Sequence, residues 1–419
     1  MGIALATLGS QLWSRAEDTD LARYRAVRDW VRGNYVREVQ DSGLVDAALH
    51  GMVESLDGYS RYYDRAQVAA LERDTTGKYR GIGVVFHPPL DSGRVLFTLP
   101  GSPADRAGIG PGDTILAVNG HPRTDLSVSE FQAAIADSSK DEVELLVSDL
   151  GGATRTLSIE RAELIDPTVR HAQILDEELG VAYLAITSFS KETPVEFDRW
   201  IAALQAQGMR ALVIDLRGNL GGVLFSAVRI ANRFIDRGLI VSTEGRGEPT
   251  RHEAVRGEAT LAALPLVLLV DADSASASEV LAGALQDHRR AALVGARTYG
   301  KGMVQQVRAF GDDEAEVRLT TAYYYTPAHT NIERTAQKGR EHGLTPDLSI
   351  ELSSEEAARV RTYLRHYSPP ATSLEALRAW EAVEGIQLID PHPRDGQSQG
   401  ALDLFRGVHP GPNVLEKRL

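Results

Sequence analysis

The sequence predicts an α/β core that carries an inserted β-rich domain and helical segments at both chain ends. Three observations support this fold class. Aliphatic runs at 211–215, 265–271 and 291–295 alternate with helical stretches, which is typical of a largely parallel sheet covered by helices. Short strand-like runs separated by glycine and proline fill residues 77–163. Apolar side chains at helical spacing mark the two chain ends.

Residues 1–76 are predicted to be helical. Apolar side chains recur every three or four positions between residues 20 and 39, and again between 44 and 53. This region is too small to hold a core alone, so we expect it to pack on the rest of the protein or on a partner chain. The mildly apolar start, Met1 to Trp13, lacks a basic beginning. It leaves open a signal or anchor remnant, and hence membrane association, or an ordinary helical turn.

Residues 77–163 are predicted to form a small domain of five or six strands with one helix near 126–136. Its glycine-containing loop can point backbone N–H groups into a nest that suits a carboxylate, and an adjacent strand edge can accept an extended peptide. Together with the segment at 102–120, this loop resembles that of a PDZ domain. The resemblance implies that the carboxylate of a peptide tail binds at Gly81, Ile82, Gly83 and Val84.

The α/β core is predicted over residues 164–352, followed by C-terminal helices at 354–366 and 373–384. The proline- and glycine-rich sequence from Pro391 onward is predicted to be loosely ordered. Residues 353–419 therefore form a separate C-terminal region in this interpretation.

Composition excludes several classes of function. The formal net charge of −13 over 419 residues argues against nucleic acid or an anionic membrane as the main partner. The sequence has no cysteine, which excludes disulfides, thiolate metal sites and cysteine nucleophiles. No run approaches the roughly 20 apolar residues that span a bilayer. The H-E-x-x-H motif of zinc proteases is also missing, and we expect no metal or cofactor.

One candidate site motif, residues 215–222, follows the buried strand at 211–215. Ligands of α/β proteins bind at such strand ends. The adjacent Gly221 and Gly222 can direct backbone N–H groups at an oxyanion. Taken alone, the glycines are explained as well by a tight turn from strand to helix.

A second motif, Ser274 to Glu279, follows the next buried strand and opens a helix. Ser276 would lie at the helix N-terminus, where the helix dipole stabilises negative charge. The alternative is a capping box formed by Ser276 and Glu279.

The third motif places Lys301 between two glycines on a loop with apolar flanks. Such a lysine could be partly desolvated, although a lone lysine is usually a solvated surface group. Residues 295–301 also match the first seven positions of a P-loop, but Gly302 stands where the hydroxyl that binds Mg²⁺ is required. Nucleotide binding is therefore disfavoured.

In this order, and behind a PDZ-like domain, the three motifs resemble those of the C-terminal processing peptidases, also called tail-specific proteases. The resemblance covers residues 44–350 and departs at Gly58, where the family commonly has proline. It implies a core with a layout like that of crotonase and ClpP. It also implies that Ser276 is the nucleophile, Lys301 the base and Gln305 the residue that orients the base. The implied oxyanion hole consists of the N–H of Ala277 with that of Gly222 or Gly221.

The family resemblance implies a serine endopeptidase that cleaves proteins recognised by apolar C-terminal tails, with the PDZ domain binding the tail. Because Lys301 must be shielded from water to act as a base, we hypothesise that the PDZ domain also gates activity. The resemblance further implies an extracytoplasmic location in the bacterial periplasm or envelope, self-association through the terminal helices, and in some members an activating adaptor protein. Two alternatives remain. A Ser-His-Asp enzyme could use Asp287 and His288, although G-x-S-x-G is absent. A latent or inactive PDZ scaffold that needs a partner is disfavoured because the serine, lysine and glutamine are all present.

Overall fold

A computed structural model describes residues 3–64, 67–68, 76–88, 90–137, 139–310, 315–335, 342–388 and 392–407. The chain divides into two compact units. The first contains residues 1–69 and 305–321, and the second contains residues 70–304 and 322–419. Within the described ranges, no helix combines the length and the apolar character that crossing a membrane requires.

The described helices are α1 (Ile3–Asn34), α2 (Asp41–Glu54), α3 (Pro103–Arg106), α4 (Val128–Ala136), α5 (Thr193–Ala206), α6 (Leu224–Asn232), α7 (Ala277–Asp287), α8 (Ser354–Arg365), α9 (Leu374–Glu384) and α10 (Gly396–Phe405). The described strands are β1 (Arg61–Tyr63), β2 (Lys78–Gly81), β3 (Val84–Phe86), β4 (Val95–Thr98), β5 (Thr114–Val118), β6 (His121–Pro122), β7 (Glu142–Ser148), β8 (Thr154–Glu160), β9 (Ala162–Ile165), β10 (Val169–Asp176), β11 (Val181–Ile186), β12 (Ala211–Asp215), β13 (Leu239–Gly245), β14 (Thr250–Glu253), β15 (Leu266–Val270), β16 (Ala292–Gly295), β17 (Met303–Phe310), β18 (Ala315–Tyr325) and β19 (Leu348–Ser349).

The first unit contains the two predicted N-terminal helices. Strand β1 pairs antiparallel with the start of β18, where Tyr62 lies opposite Val317. Val53 of α2 packs on Tyr62 and Ala315 to form a small buried cluster. The predicted helical region therefore obtains its core from residues that follow it by some 250 positions in the chain.

The β-rich domain lies in the second unit. Strands β6, β5, β7 and β8 form one sheet, β2 pairs with β9, and β3 pairs with β4 as a hairpin. Helix α4 is capped by Ser127, whose side chain accepts the N–H of Glu130 while the Glu130 carboxylate accepts the N–H of Ser127. This capping box fixes the helix start, and the helix buries Phe131 and Ile135 in the domain core.

The α/β core is a six-stranded sheet with the order β10-β11-β12-β15-β16-β19. All neighbours are parallel except β10 and β11, as the aliphatic runs predicted. Alternate side chains of β11 point to opposite faces. Leu184 joins the cluster beneath α5, α6 and α7, whereas Tyr183 joins the cluster beneath α8 and α10. The layout like crotonase and ClpP stays a prediction.

The prediction of a loosely ordered sequence after Pro391 is wrong for residues 396–405, which form the packed helix α10. Asp395 caps the helix by accepting the N–H groups of Gln397 and Ser398 at 3.0 and 3.1 Å. Apolar side chains including Ala401 and Phe405 then cover one face of the sheet. The glycines that suggested disorder instead permit close packing, since a Cβ on Gly400 would lie 2.4 Å from Ile350. Residues 408–419 lie outside the described ranges.

Candidate active site

Two loops meet at the carboxyl edge of the sheet because β12 and β15 are parallel neighbours. The loop after β15 is fixed to the loop after β12 by two buried serines. Ser274 donates its hydroxyl to the Leu216 carbonyl at 2.9 Å, and Ser278 donates to the Asn219 carbonyl at 3.0 Å. The outer two serines of the motif therefore hold the loops together.

Ser276 lies between these serines, immediately before α7. Its backbone has φ +56° and ψ −115°. A positive φ is costly for a residue with a side chain, and residues that adopt one cluster at functional sites. Its side chain hydrogen-bonds with the hydroxyl of Tyr324, whose pKa is raised by burial and partly lowered again by this bond. Only 7% of Ser276 is exposed. Sequence reasoning did not identify Tyr324, because it lies on a strand far along the chain.

Glu279 is a fully buried acid that connects the serine loop with the lysine loop. Its carboxylate accepts the Thr298 hydroxyl at 2.5 Å and the Gly300 N–H at 2.8 Å. It also accepts the N–H of Ser276 at 2.9 Å and that of Lys301 at 2.8 Å. Burial raises the pKa of Glu279, and these hydrogen bonds oppose the shift. The capping contact that the sequence indicated is therefore one part of a larger network.

Lys301 is half-buried, and the glycines on both sides of it are required by close packing. A Cβ on Gly302 would lie 2.7 Å from the Glu333 nitrogen, and one on Gly300 would lie 3.0 Å from the Ile332 carbonyl oxygen. The Gly302 N–H donates to the Glu333 carboxylate at 2.9 Å. The structure thus brings the loop of Lys301 to the serine through Glu279.

Gln305 belongs to the first unit. Its side-chain amide donates to the Thr320 hydroxyl at 3.5 Å. Its expected role in orienting the lysine stays a prediction.

The predicted oxyanion loop lies directly against Ser276. A Cβ on Gly221 would be 2.7 Å from the Ser276 Cβ and 3.0 Å from the Ala277 nitrogen, and one on Gly222 would be 2.1 Å from the Phe189 carbonyl oxygen. Both residues have positive φ, +104° and +135°, so both positions require glycine. The Gly221 N–H already donates to the Asn219 side chain at 2.8 Å. This bond favours Gly222 over Gly221 as the partner of Ala277, and the oxyanion hole itself stays a prediction.

A buried charged network lies where β12 passes into the loop that follows it. Arg217 pairs with Asp215 at 2.6 Å and with Asp395 at 2.8 Å, and all three side chains are almost completely inaccessible to solvent. The Tyr183 hydroxyl donates to Asp215 at 2.8 Å. No sequence pattern pointed to Asp395, because its partner Arg217 lies 178 residues away.

The predicted peptide-binding loop, Gly81 to Val84, borders a cavity of about 870 Å³. Gly83 has φ +81°, and a Cβ there would lie 2.4 Å from the Ser102 Cβ. Strand β3 uses one edge to pair with β4, and helix α4 lines the other side of the cavity. Binding of a peptide tail in this groove stays a prediction.

Family models match both predicted domains. The model of peptidase family S41 matches residues 180–350, and a PDZ domain model matches residues 99–148. Together with the fold, these matches define a peptidase that carries a PDZ domain, as the sequence predicted.

Relatives of known name narrow this class. The carboxy-terminal-processing protease of Bartonella bacilliformis is 32% identical over 339 residues, which cover 79% of this chain and 75% of that protein. The carboxy-terminal processing protease CtpA of Bacillus subtilis is 33% identical over 337 residues, 79% of this chain and 70% of that protein. A solved photosystem II D1 C-terminal processing protease is 30% identical over 79% of this chain and 92% of its own, with a TM-score of 0.45. The chain belongs to the carboxy-terminal-processing proteases, the serine-type peptidases of family S41.

Proposed function

We propose that Ser276 is the nucleophile and Lys301 the general base of an endopeptidase that recognises its substrates by their C-terminal tails. The observation that carries the proposal is the network around Glu279. This one carboxylate holds the backbones of both residues. The loop after β12 lies against Ser276 and the Ala277 nitrogen at Gly221, and neither Gly221 nor Gly222 has room for a side chain.

The proposed reaction proceeds through an acyl-enzyme. Neutral Lys301 takes the proton of the Ser276 hydroxyl as its oxygen attacks the scissile carbonyl carbon. The N–H groups of Ala277 and Gly222 stabilise the resulting oxyanion. The lysine then returns the proton to the leaving amine, and a water molecule hydrolyses the ester by the same steps.

Proton transfer to a lysine requires a site that removes the lysine from water. A lysine in water has a pKa near 10.4, so only about one in 2,500 is neutral at pH 7. A mostly neutral base needs about 5 kcal/mol of bias against the ammonium form. A substrate that covers the active-site cleft would shield Lys301 from water in this way. Because the PDZ groove would hold the tail of the same substrate, its occupancy would gate activity.

The Ser-His-Asp alternative is not supported. Asp287 and His288 lie at the far end of α7, about 16 Å along the helix from Ser276. The His288 ring contacts the Leu239 carbonyl, and Asp287 accepts the Ala328 N–H.

Proposals about context rest on the family resemblance. Substrates would carry apolar tails, and the protein would act outside the cytoplasm. Self-association through the terminal helices is supported by exposed apolar side chains on α1, including Val27 and Trp30. The alternative of a latent PDZ protein that awaits an adaptor remains compatible with the buried serine.

Cleavage of a loosely folded protein that ends in small apolar residues tests the proposal. We expect cleavage by the wild type and by Lys191→Ala, which removes an exposed lysine, but not by Ser276→Ala or Lys301→Ala. Activity that survives in both dyad variants would refute the assignment. A silent wild type that still binds the tail would support the latent alternative.

A further inference from the structure

The C-terminal segment packs on the hairpin that borders the peptide groove. Trp380 and Leu377 of α9 are buried against Phe97 of β4. Arg94, at the start of the same strand, lies 4.6 Å from the centre of the Trp380 ring and donates to the Glu384 carboxylate at 2.8 Å. One side of the β3–β4 hairpin is therefore covered by protein.

Side chains of β3 alternate between two faces. Val84 and Phe86 pack toward the core of the β-rich domain, whereas Val85 packs with the cluster of α9. The groove beside β3 is therefore lined by the β-rich domain on one side and by the C-terminal segment on the other. Ile82, Phe86 and Ile135 lie on the domain side, and Tyr367, Gln387 and Leu388 lie on the side of the C-terminal segment.

A peptide that extends the hairpin as a further strand must follow the same alternation. With its terminal carboxylate at the loop from Gly81 to Val84, its last side chain would point toward Ile82 and Ile135. Its penultimate side chain would then point to the opposite face. In a hairpin without the C-terminal segment that face would be open to water, but here Tyr367 and the buried Leu388 close it.

We propose that the segment from Tyr367 to Leu388 is a second specificity-determining wall of the tail groove, and that it selects an apolar penultimate residue in the substrate. The inference rests on the proposed function, in which this groove binds substrate tails. Leu388, Tyr367 and Leu96 present apolar surface here, so a penultimate carboxylate would lose water without gaining a partner.

The test measures tail binding directly, without proteolysis. Fluorescein-labelled decapeptides that differ only in ending with Leu-Ala or Asp-Ala are titrated against the full chain carrying Ser276→Ala, and binding is followed by anisotropy. We expect tighter binding of the Leu-Ala peptide. A peptide with an amidated C-terminus should not bind.

Charge variants then locate the wall. Gln387→Lys places a cation at an exposed position that lines the groove. It should improve binding of the Asp-Ala peptide by about two- to fivefold, the range expected for an exposed ion pair, with little change for Leu-Ala. Val383→Lys adds the same charge to α9 at a side chain that is 82% exposed and does not line the groove, and should change neither affinity. Leu388→Ala, shown by circular dichroism to be folded at the assay temperature, should weaken only the Leu-Ala peptide.

Two failures are distinguishable. If tails bind but the lysine variants at 387 and 383 behave alike and Leu388→Ala has no effect, the second wall is refuted and the proposed function stands. If neither peptide binds, or the amidated peptide binds equally well, the groove does not recognise C-terminal tails. The proposed function and the second wall are then both refuted.

Discussion

The backbone N–H groups of Ser276 and Lys301 donate to the same oxygen, Oε2 of Glu279, at 2.9 and 2.8 Å. These residues are 25 positions apart in the sequence and lie on different loops. A shared acceptor therefore fixes the distance between the two backbones, and it does so from a buried position that does not compete for the serine hydroxyl.

The first prediction concerns Glu279. Glu279→Gln retains one carbonyl oxygen but places an amide where an acceptor is needed, so the two loops should lose their common anchor. We expect kcat to fall by about 10- to 100-fold, since misplacement of reacting groups by even 1 Å can cost this much, with KM changed less. Steady-state kinetics on a tailed peptide would measure this. Glu356→Gln, which alters a similar cap at the surface of α8, should leave kcat unchanged. Equal losses in both variants would contradict a positioning role.

The second prediction concerns the oxyanion loop. A methyl group on Gly222 would overlap the Phe189 carbonyl oxygen, whereas one on Gly218 meets no atom within 4 Å. Both positions have positive φ, so Gly218→Ala reports the backbone cost alone, about 1 kcal/mol. We expect Gly222→Ala to lower kcat by at least about 100-fold, the usual cost of one lost oxyanion donor, and Gly218→Ala to retain most activity. Comparable kcat values for the two variants would argue against Gly222 as a donor.

The third prediction concerns Arg217. Removing it by Arg217→Met leaves Asp215 and Asp395 buried without their cation, which should lower the free energy of unfolding by about 3–5 kcal/mol. The control is Arg359→Met, which breaks an exposed pair with Glu355 and should cost less than about 1 kcal/mol. Urea unfolding monitored by tryptophan fluorescence would compare the two. A small effect at Arg217 would mean that the network contributes little to stability.

The fourth prediction concerns acid stability. Burial lowers the pKa of His392 to about 4, despite the nearby Asp215 and Asp395. His392 takes up a proton below about pH 6.5 in the unfolded chain, but only below about pH 4 in the folded chain. Above pH 6.5 its protonation therefore costs no stability, and the free energy of unfolding falls as the pH drops from 6.5 toward 4. Between pH 7 and pH 5, His392 alone should lower the free energy of unfolding by about 2 kcal/mol. Unfolding curves for His392→Leu should show a weaker pH dependence than the wild type, whereas the exposed His121→Leu should not.

Sequence patterns predicted the parts of this molecule that depend on local order. The aliphatic runs became β12, β15 and β16 within one residue at each end. The close approach of Ser276 to Gly221 agrees with the rule that ligands of α/β proteins bind where parallel strands end.

Contacts between distant segments could not be predicted in this way. Tyr324 reaches Ser276, and Asp395 reaches Arg217, across long stretches of chain. A single sequence records no pairing between such positions. The glycines of α10 were misinterpreted for a related reason, because only the packed neighbour, Ile350, shows that Gly400 serves close approach and not disorder.

The pairing of Arg217 with Asp395 has a consequence for biosynthesis. Arg217 pairs with Asp215 of β12, but it receives its second buried carboxylate from Asp395, which follows both Ser276 and Lys301 in the chain. A nascent polypeptide that already displays the serine and the lysine still lacks this partner. The buried charges beside the loop that follows β12 are therefore balanced in full only after Ser276 and Lys301 have both been synthesised.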